Sequence, residues 1–153
     1  MEINIIKAEN KHLIDCKLAL QHSELGRVYF PVDDKTIQAL REGISKGEIF
    51  IAINKEDICL GFAWVILNGA FHSFPYLHII AVKEEFRSLG IGKNLLKYIE
   101  DIISKDSSKI FLVVADFNPR AKELYQNVGY KEIGLIPDLY KKGVTECLMI
   151  KEL

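Results

Sequence analysis

Arg87, Gly90, Gly92 and Lys93 fall within one run, Phe86-Arg87-Ser88-Leu89-Gly90-Ile91-Gly92-Lys93, between an apolar stretch ending at Val82 and a helix-like stretch starting near Ile91. This combination suits an anion, above all a phosphate. Glycine lets the backbone approach a ligand with no Cβ in the way. The N–H groups of a first helical turn lack intrahelical partners and point at the anion, and the helix dipole adds to the attraction. Arg87 and Lys93 can supply fixed positive charge. The loop fits neither common nucleotide fingerprint. Its lysine is followed by Asn94, which breaks the nucleotide P-loop pattern, and it lacks the third glycine and later acid of a dinucleotide site.

Such a loop works only if a strand and a helix hold it. Ile3–Lys7 alternates as a first strand, and Asn10 to about His22 has helical spacing, with Leu13, Ile14 and Leu18 as its apolar positions and Asn10 as a cap. Asp33 or Asp34 can cap a second helix that carries Ile37, Leu40 and Ile44 and ends near Gly47. Strands are expected at Ile49–Ile53 and Ile58–Leu67, joined by the turn Asn54-Lys55-Glu56-Asp57, and again at Tyr76–Val82. The helix after the glycine loop buries Leu95, Ile99, Ile102 and Ile103. Ile110–Val114 follows as a strand, Asn118–Val128 as a short helix closed by Gly129, and Tyr130–Ile133 and Thr145–Ile150 as a final strand pair. These elements predict a single α/β domain, 1–153, whose central mixed sheet is flanked by helices. Tyr76–Val114 forms a strand, crossover helix and parallel strand, which puts the anion loop beyond the carboxyl end of a central strand.

Composition narrows the partners. Lys+Arg 20 against Asp+Glu 21 gives a net charge of -1, so no global basic field suggests a nucleic acid. Cys16, Cys59 and Cys147 are odd in number and far apart, fit no metal or disulfide spacing, and suit the reducing cytoplasm. The N-terminus has no signal-peptide pattern. From Ile58 to Val82 no residue is formally charged, but Gly61, Asn68, Gly69, His72, Ser73 and Pro75 break the run. It reads as two strands buried in mid-sheet and not as a membrane span.

A second motif adds specificity: Asn118-Pro-Arg-Ala121-Lys-Glu-Leu-Tyr125-Gln-Asn-Val-Gly129-Tyr130. Together with Arg87-x-x-Gly90-x-Gly92 after Leu77-His78-Ile79-Ile80-Ala81-Val82, it resembles the GNAT family of acetyl-CoA-dependent N-acetyltransferases, over about residues 3 to 151. The resemblance implies that the backbone of Arg87, Ser88, Leu89, Gly90, Ile91, Gly92 and Lys93 cradles the pyrophosphate of coenzyme A. It also implies two splayed central strands, with the pantetheine arm pairing near Ile80, Ala81 and Val82 and reaching Asn118 and Ala121. No metal is expected.

By the same resemblance an amine attacks the thioester directly in a ternary complex. Val82 N–H would serve as oxyanion donor, and Tyr125 would face the leaving sulfur. His78 and Tyr76 alternate on one strand face at positions resembling acid–base residues of the family; a histidine near pKa 6.5 suits a base. A hydrogen-bonded core histidine and a merely packing Tyr125 are the structural alternatives. Related N-terminal acetyltransferases often carry an acid or histidine where this chain has Val113, whereas Tyr140 resembles their substrate-side tyrosine loop. The acceptor therefore stays open between a small-molecule and a peptide amine. Its binding residues are expected among Tyr29, Phe30, His72 and Tyr140, with Glu24, Asp33 and Asp34 as cation-binding or helix-capping acids. His12 and His22 look like helix-surface residues. A catalytically silent acyl-CoA sensor on the same fold is the alternative function, longer acyl donors are a further option, and a homodimer through the last strands is plausible.

Overall fold

The computed structural model describes residues 1–153. The chain packs as two compact units, Met1–Val65 with Ile79–Ile99, and Ile66–His78 with Glu100–Leu153. The elements in chain order are β1 (Asn4–Lys7), α1 (Leu13–Gln21), α2 (Glu24–Tyr29), α3 (Asp33–Ser45), β2 (Ile49–Ile53), β3 (Cys59–Ala70), β4 (Phe74–Val82), α4 (Ile91–Ile103), β5 (Lys109–Ala115), α5 (Pro119–Asn127), β6 (Lys131–Pro137) and β7 (Thr145–Glu152). Strand order is β1-β2-β3-β4-β5-β7-β6. β4 and β5 are parallel, while β1–β2, β2–β3, β5–β7 and β6–β7 are antiparallel, so the sheet is mixed as expected. β4 and β5 pair in parallel with Tyr76 opposite Phe111.

In the first unit, α4 buries Ile91, Leu95, Leu96 and Ile99. Each such side chain contributes about 1.5–3 kcal/mol of gross transfer free energy. Leu20, Leu40, Ile49, Ile51 and Phe62 complete that core. Asn54 fixes the β2–β3 turn, its side-chain oxygen accepting from the N–H groups of Glu56 at 3.0 Å and Ile58 at 2.9 Å. In the second unit Ile110, Leu112, Met149 and Tyr130 are buried. There Glu100 accepts from Lys151 Nζ at 2.6 Å and from the Tyr130 hydroxyl at 3.2 Å.

Several local expectations are corrected. The segment after α1 is a helix, α2, capped by Ser23, whose hydroxyl accepts from Gly26 N–H at 3.0 Å. Gly26 is needed because a Cβ there would lie 1.8 Å from the Leu20 carbonyl oxygen. Asp33 and Asp34 are not caps: Val32 holds that position, and both acids occupy the first turn of α3, where they favour the dipole. Asp33 instead accepts from Lys17 and Gln21 of α1. Asn10 lies in a short 3-10 turn whose ends are fixed by Glu9 and His12. His12 is no surface residue; it is 9% exposed, and its Nδ1 accepts from Glu9 N–H at 3.0 Å. α1 buries Leu13, Cys16, Ala19 and Leu20, leaving Ile14 and Leu18 exposed. Asn68 and Gly69 continue β3, and the reversal into β4 falls at Phe71 and His72, both with positive φ (55° and 57°).

Candidate functional site

In the first unit, the site is built around the end of β4 and the loop that follows. Along β4, Phe74, Tyr76, His78, Ile80 and Val82 are half-buried, while Pro75, Leu77, Ile79 and Ala81 are buried. That alternation is the period of a strand with one face left more open. Gly61 of β3 lets the neighbouring backbone come close to the end of β4, since a Cβ there would meet Ala81 O at 2.6 Å and Val82 Cα at 2.9 Å. Lys83 N–H donates to Leu60 O at 2.9 Å, and Lys83 Nζ pairs with Asp15 at 2.6 Å. Arg87 is a strap: its guanidinium donates to Val82 O at 3.3 Å and to the carbonyl of His22 at 2.7 Å. The fixed charge assigned to it from sequence is thus engaged with backbone carbonyls, which order the loop.

Ser88 and Gly90 curl the loop with φ of 63° and 80°, and Ser88, Leu89 and Gly90 are exposed. Nothing in the protein lies within 4 Å of a Cβ built on Gly90. Asn94 N–H donates to Gly90 O at 3.0 Å, closing the first turn of α4. Ile91 is buried in the core, while Lys93 is exposed on that turn beside Gly92. The result is an open, glycine-lined helix entrance with a cation at its edge, a shape and polarity suited to phosphate oxygens. Tyr29, at the end of α2, and Phe30, which follows it, are half-buried. Glu24 pairs with Arg27 at 2.7 Å, so its charge, like that of Asp33, has a partner within the protein.

The second unit gathers the titratable groups. Tyr76 and Tyr140 hydroxyls lie 3.1 Å apart, and the Tyr76 and His78 rings are 6.1 Å apart. Burial pushes the Tyr76 phenol well above its usual range, helped by the Tyr140 hydrogen bond and by the nearby Tyr140, Glu146 and Tyr125. Burial also lowers the pKa of His78, so its neutral, proton-accepting form dominates at pH 7. Tyr125 is buried on α5, with its ring 5.7 Å from that of Tyr130, and burial raises its pKa as well. Asn118 caps α5, its side-chain oxygen accepting from Ala121 N–H at 3.4 Å. The Tyr140 loop is fixed by Asp138, which accepts from Gly143 N–H at 2.7 Å. His72 stands exposed at the β3–β4 turn.

Two residues of this region escape the sequence reading. Gly61 had a faint signal, an isolated glycine in a strand pattern, which often marks close backbone approach. Glu146 is a carboxylate only 2% exposed in β7. Its sequence signal is a single acid in the apolar run Thr145-Glu146-Cys147-Leu148-Met149-Ile150.

The sequence pattern of an acetyltransferase (GNAT) domain matches residues 21–153. The chain belongs to the GNAT acetyltransferase family. An uncharacterized N-acetyltransferase of Methanocaldococcus jannaschii is 40% identical over 79 residues, covering 49% of this chain and 51% of that protein. An uncharacterized protein of Mycobacterium leprae is 32% identical over 114 residues, covering 73% of this chain and 31% of the other. The chain therefore spans about half or less of the length of these two relatives. Among solved structures, the fold of this GNAT chain matches a putative GNAT acetyltransferase of Desulfovibrio desulfuricans, with TM-score 0.82, 14% identity and 99% of each chain covered. It also matches Arabidopsis thaliana Naa50 in complex with the bisubstrate analogue CoA-Ac-MVNAL, with TM-score 0.74, 25% identity and 100% of each chain covered.

Proposed function

We propose that this GNAT chain transfers the acetyl group of acetyl-CoA to a primary amine by direct attack within a ternary complex. The observation that carries the reading is the more open face of β4, where Tyr76 and His78 precede Ile80 and Val82 on the strand that runs into the glycine loop. Acetyl-CoA, when bound, supplies an activated thioester. The amides from Ser88 to Lys93 hold its pyrophosphate, and the Val82 N–H takes the developing oxyanion.

Proton handling follows from the burial of the side chains. An alkyl ammonium near pKa 10.4 is only about one part in a thousand neutral at pH 7.4, so the attacking nitrogen needs a route for its proton. His78, kept neutral by burial, receives it directly or through water. Tyr125, a weaker acid than an ordinary phenol, serves as a hydrogen-bond donor to the leaving thiolate and not as a full proton donor. Tyr140 and Tyr76 line the acceptor side, with His72, Tyr29 and Phe30 as candidate rim residues. The family resemblance assigns no role to a metal.

Mass spectrometry on a panel of polyamines, aminoglycosides, arylalkylamines, amino acids and peptides with free N-termini tests this reading. Acceptor-dependent acetylation supports it. Acetyl-CoA binding with no acceptor acetylated would favour the silent acyl-CoA sensor, for which no observation in the site speaks at present.

A further inference from the structure

Val82 enters the proposed reaction through its backbone N–H, and a backbone donor is only as well placed as the peptide that carries it. Two soft dihedrals at Val82 join that peptide to the next one, Val82–Lys83. Both peptides are held. The first contains Ala81 O, and Gly61 packs against it: a Cβ on Gly61 would lie 2.6 Å from Ala81 O and 2.9 Å from Val82 Cα. The second is tied on both sides. Its N–H, that of Lys83, donates to Leu60 O at 2.9 Å, and its carbonyl, Val82 O, accepts from Arg87 Nε at 3.3 Å.

Arg87 reaches back over a short 3-10 turn, Glu84–Phe86, to make that bond, and its other end is anchored outside the loop. Arg87 Nη2 donates at 2.7 Å to the carbonyl of His22, the residue that caps the C-terminus of α1. Carbonyls at a helix C-terminus lack intrahelical partners, and the helix dipole favours a cation there. A guanidinium presents its N–H groups in one rigid plane, so anchoring Nη2 on His22 O also sets where Nε stands against Val82 O. A lysine has a single ammonium on a flexible stem and cannot make this two-point tie. Arg27 Nη2 donates to the same His22 carbonyl at 3.2 Å, which gives the corner a second cation with no printed bond to Val82.

Two of the three guanidinium nitrogens of Arg87 are thus engaged with protein carbonyls. We propose that Arg87 is a positioning residue for acetyl transfer, holding the Val82–Lys83 peptide against the end of α1 so that the Val82 N–H meets the developing oxyanion, and is not a charge on the cofactor phosphates. A preorganised donor is sensitive to placement, since a shift of about 1 Å can cost on the order of 100-fold in rate. The proposal rests on the acetyl-transfer reading for the oxyanion, while the fixing of the peptide does not.

Two measurements on the full chain test it, with Arg87→Gln, Arg87→Lys and, as the control at the same carbonyl, Arg27→Gln. The first is steady-state kinetics with acetyl-CoA and the amine of highest turnover in the panel above. Both Arg87 variants should lose about 10- to 100-fold in kcat at saturating acetyl-CoA, and Arg27→Gln should stay within about twofold of wild type. Normal kcat in Arg87→Lys, or a loss confined to the KM for acetyl-CoA, would make Arg87 a phosphate charge and overturn the proposal. An equal loss in Arg27→Gln would overturn it too, by assigning the effect to a loosened corner. The second is amide hydrogen exchange by NMR, which needs no acceptor. The Lys83 N–H should exchange about tenfold or more faster in both Arg87 variants, with the core amide of Leu95 unchanged. Unchanged Lys83 exchange, or a rise shared equally by Leu95, would contradict the tie. If the wild type acetylates nothing, the transfer reading fails and the oxyanion role with it, while faster Lys83 exchange alone would still support Arg87 as the tie of this peptide.

Discussion

Burial acts on His78 and Tyr125 in opposite chemical senses, and both effects suit the proposed reaction. It favours the uncharged imidazole, which can accept a proton, and the uncharged phenol, which can donate a hydrogen bond without losing its proton. For acetylation of an amine, kcat/KM should fall on the acid side below about pH 6.5, with its midpoint under the ordinary imidazole value because burial has lowered it. His78→Gln should cut turnover by roughly 100-fold or more and remove that acid limb. A pH–rate profile of the two proteins checks this, and an unchanged limb in the variant would assign the proton to another group. Tyr125 and the glycine loop could be singled out in the sequence by the motifs that carry the family resemblance, and Tyr76 and His78 by their alternation on one strand. Glu146 could not, since an acid in a strand reads as solvent-facing until the register with β5 gives its face and burial. The same holds for Arg87, whose bonds to the carbonyls of Val82 and His22 depend on how α1 meets the loop.

Elements with a strong period were readable, and those decided by close packing were not. α4 carries Leu95, Ile99 and Ile103 at helical spacing, and its long buried stripe was plain. α2 is six residues long and contains Gly26, which local propensity counts against a helix, whereas its approach to Leu20 demands a glycine. β3 runs on through Asn68 and Gly69, turn-forming by type, because pairing in the sheet outweighs local preference. Gly61 and Gly90 separate two uses of glycine around the same loop. Gly61→Ala forces a Cβ to 2.6 Å from Ala81 O and should destabilise the fold by about 1–3 kcal/mol while weakening acetyl-CoA binding, as denaturation and calorimetry would show. Gly90→Ala meets no protein atom, so its folding cost should stay near the 1–2 kcal/mol of a left-handed alanine. Its larger effect should be a raised KM for acetyl-CoA, because the new methyl group stands at the open loop surface.

For the whole chain, the mixed order of strands and helices was legible because strand and helix periods differ, and the parallel pair β4–β5 followed from the crossover between them. Acid stability follows from His12, which is buried, and His78, which is half-buried. His12 and His78 both have pKa values lowered chiefly by burial, so the unfolded chain takes up their protons first as pH falls. Their contribution is complete above about pH 6.5 and is lost as pH drops through and below that value. The urea midpoint should therefore hold steady from about pH 7 to 8 and decline below about pH 6.5; a midpoint flat down to about pH 5 would contradict this. The central claim, that this GNAT chain is an acetyl-CoA-dependent amine acetyltransferase with Tyr125 at the leaving thiolate, is tested most directly by acceptor-dependent thiol release from acetyl-CoA in wild type and Tyr125→Phe. Turnover should drop about 10- to 1,000-fold in the variant with acetyl-CoA affinity nearly unchanged. Normal turnover in Tyr125→Phe, or no acceptor-dependent release in the wild type, would contradict the account.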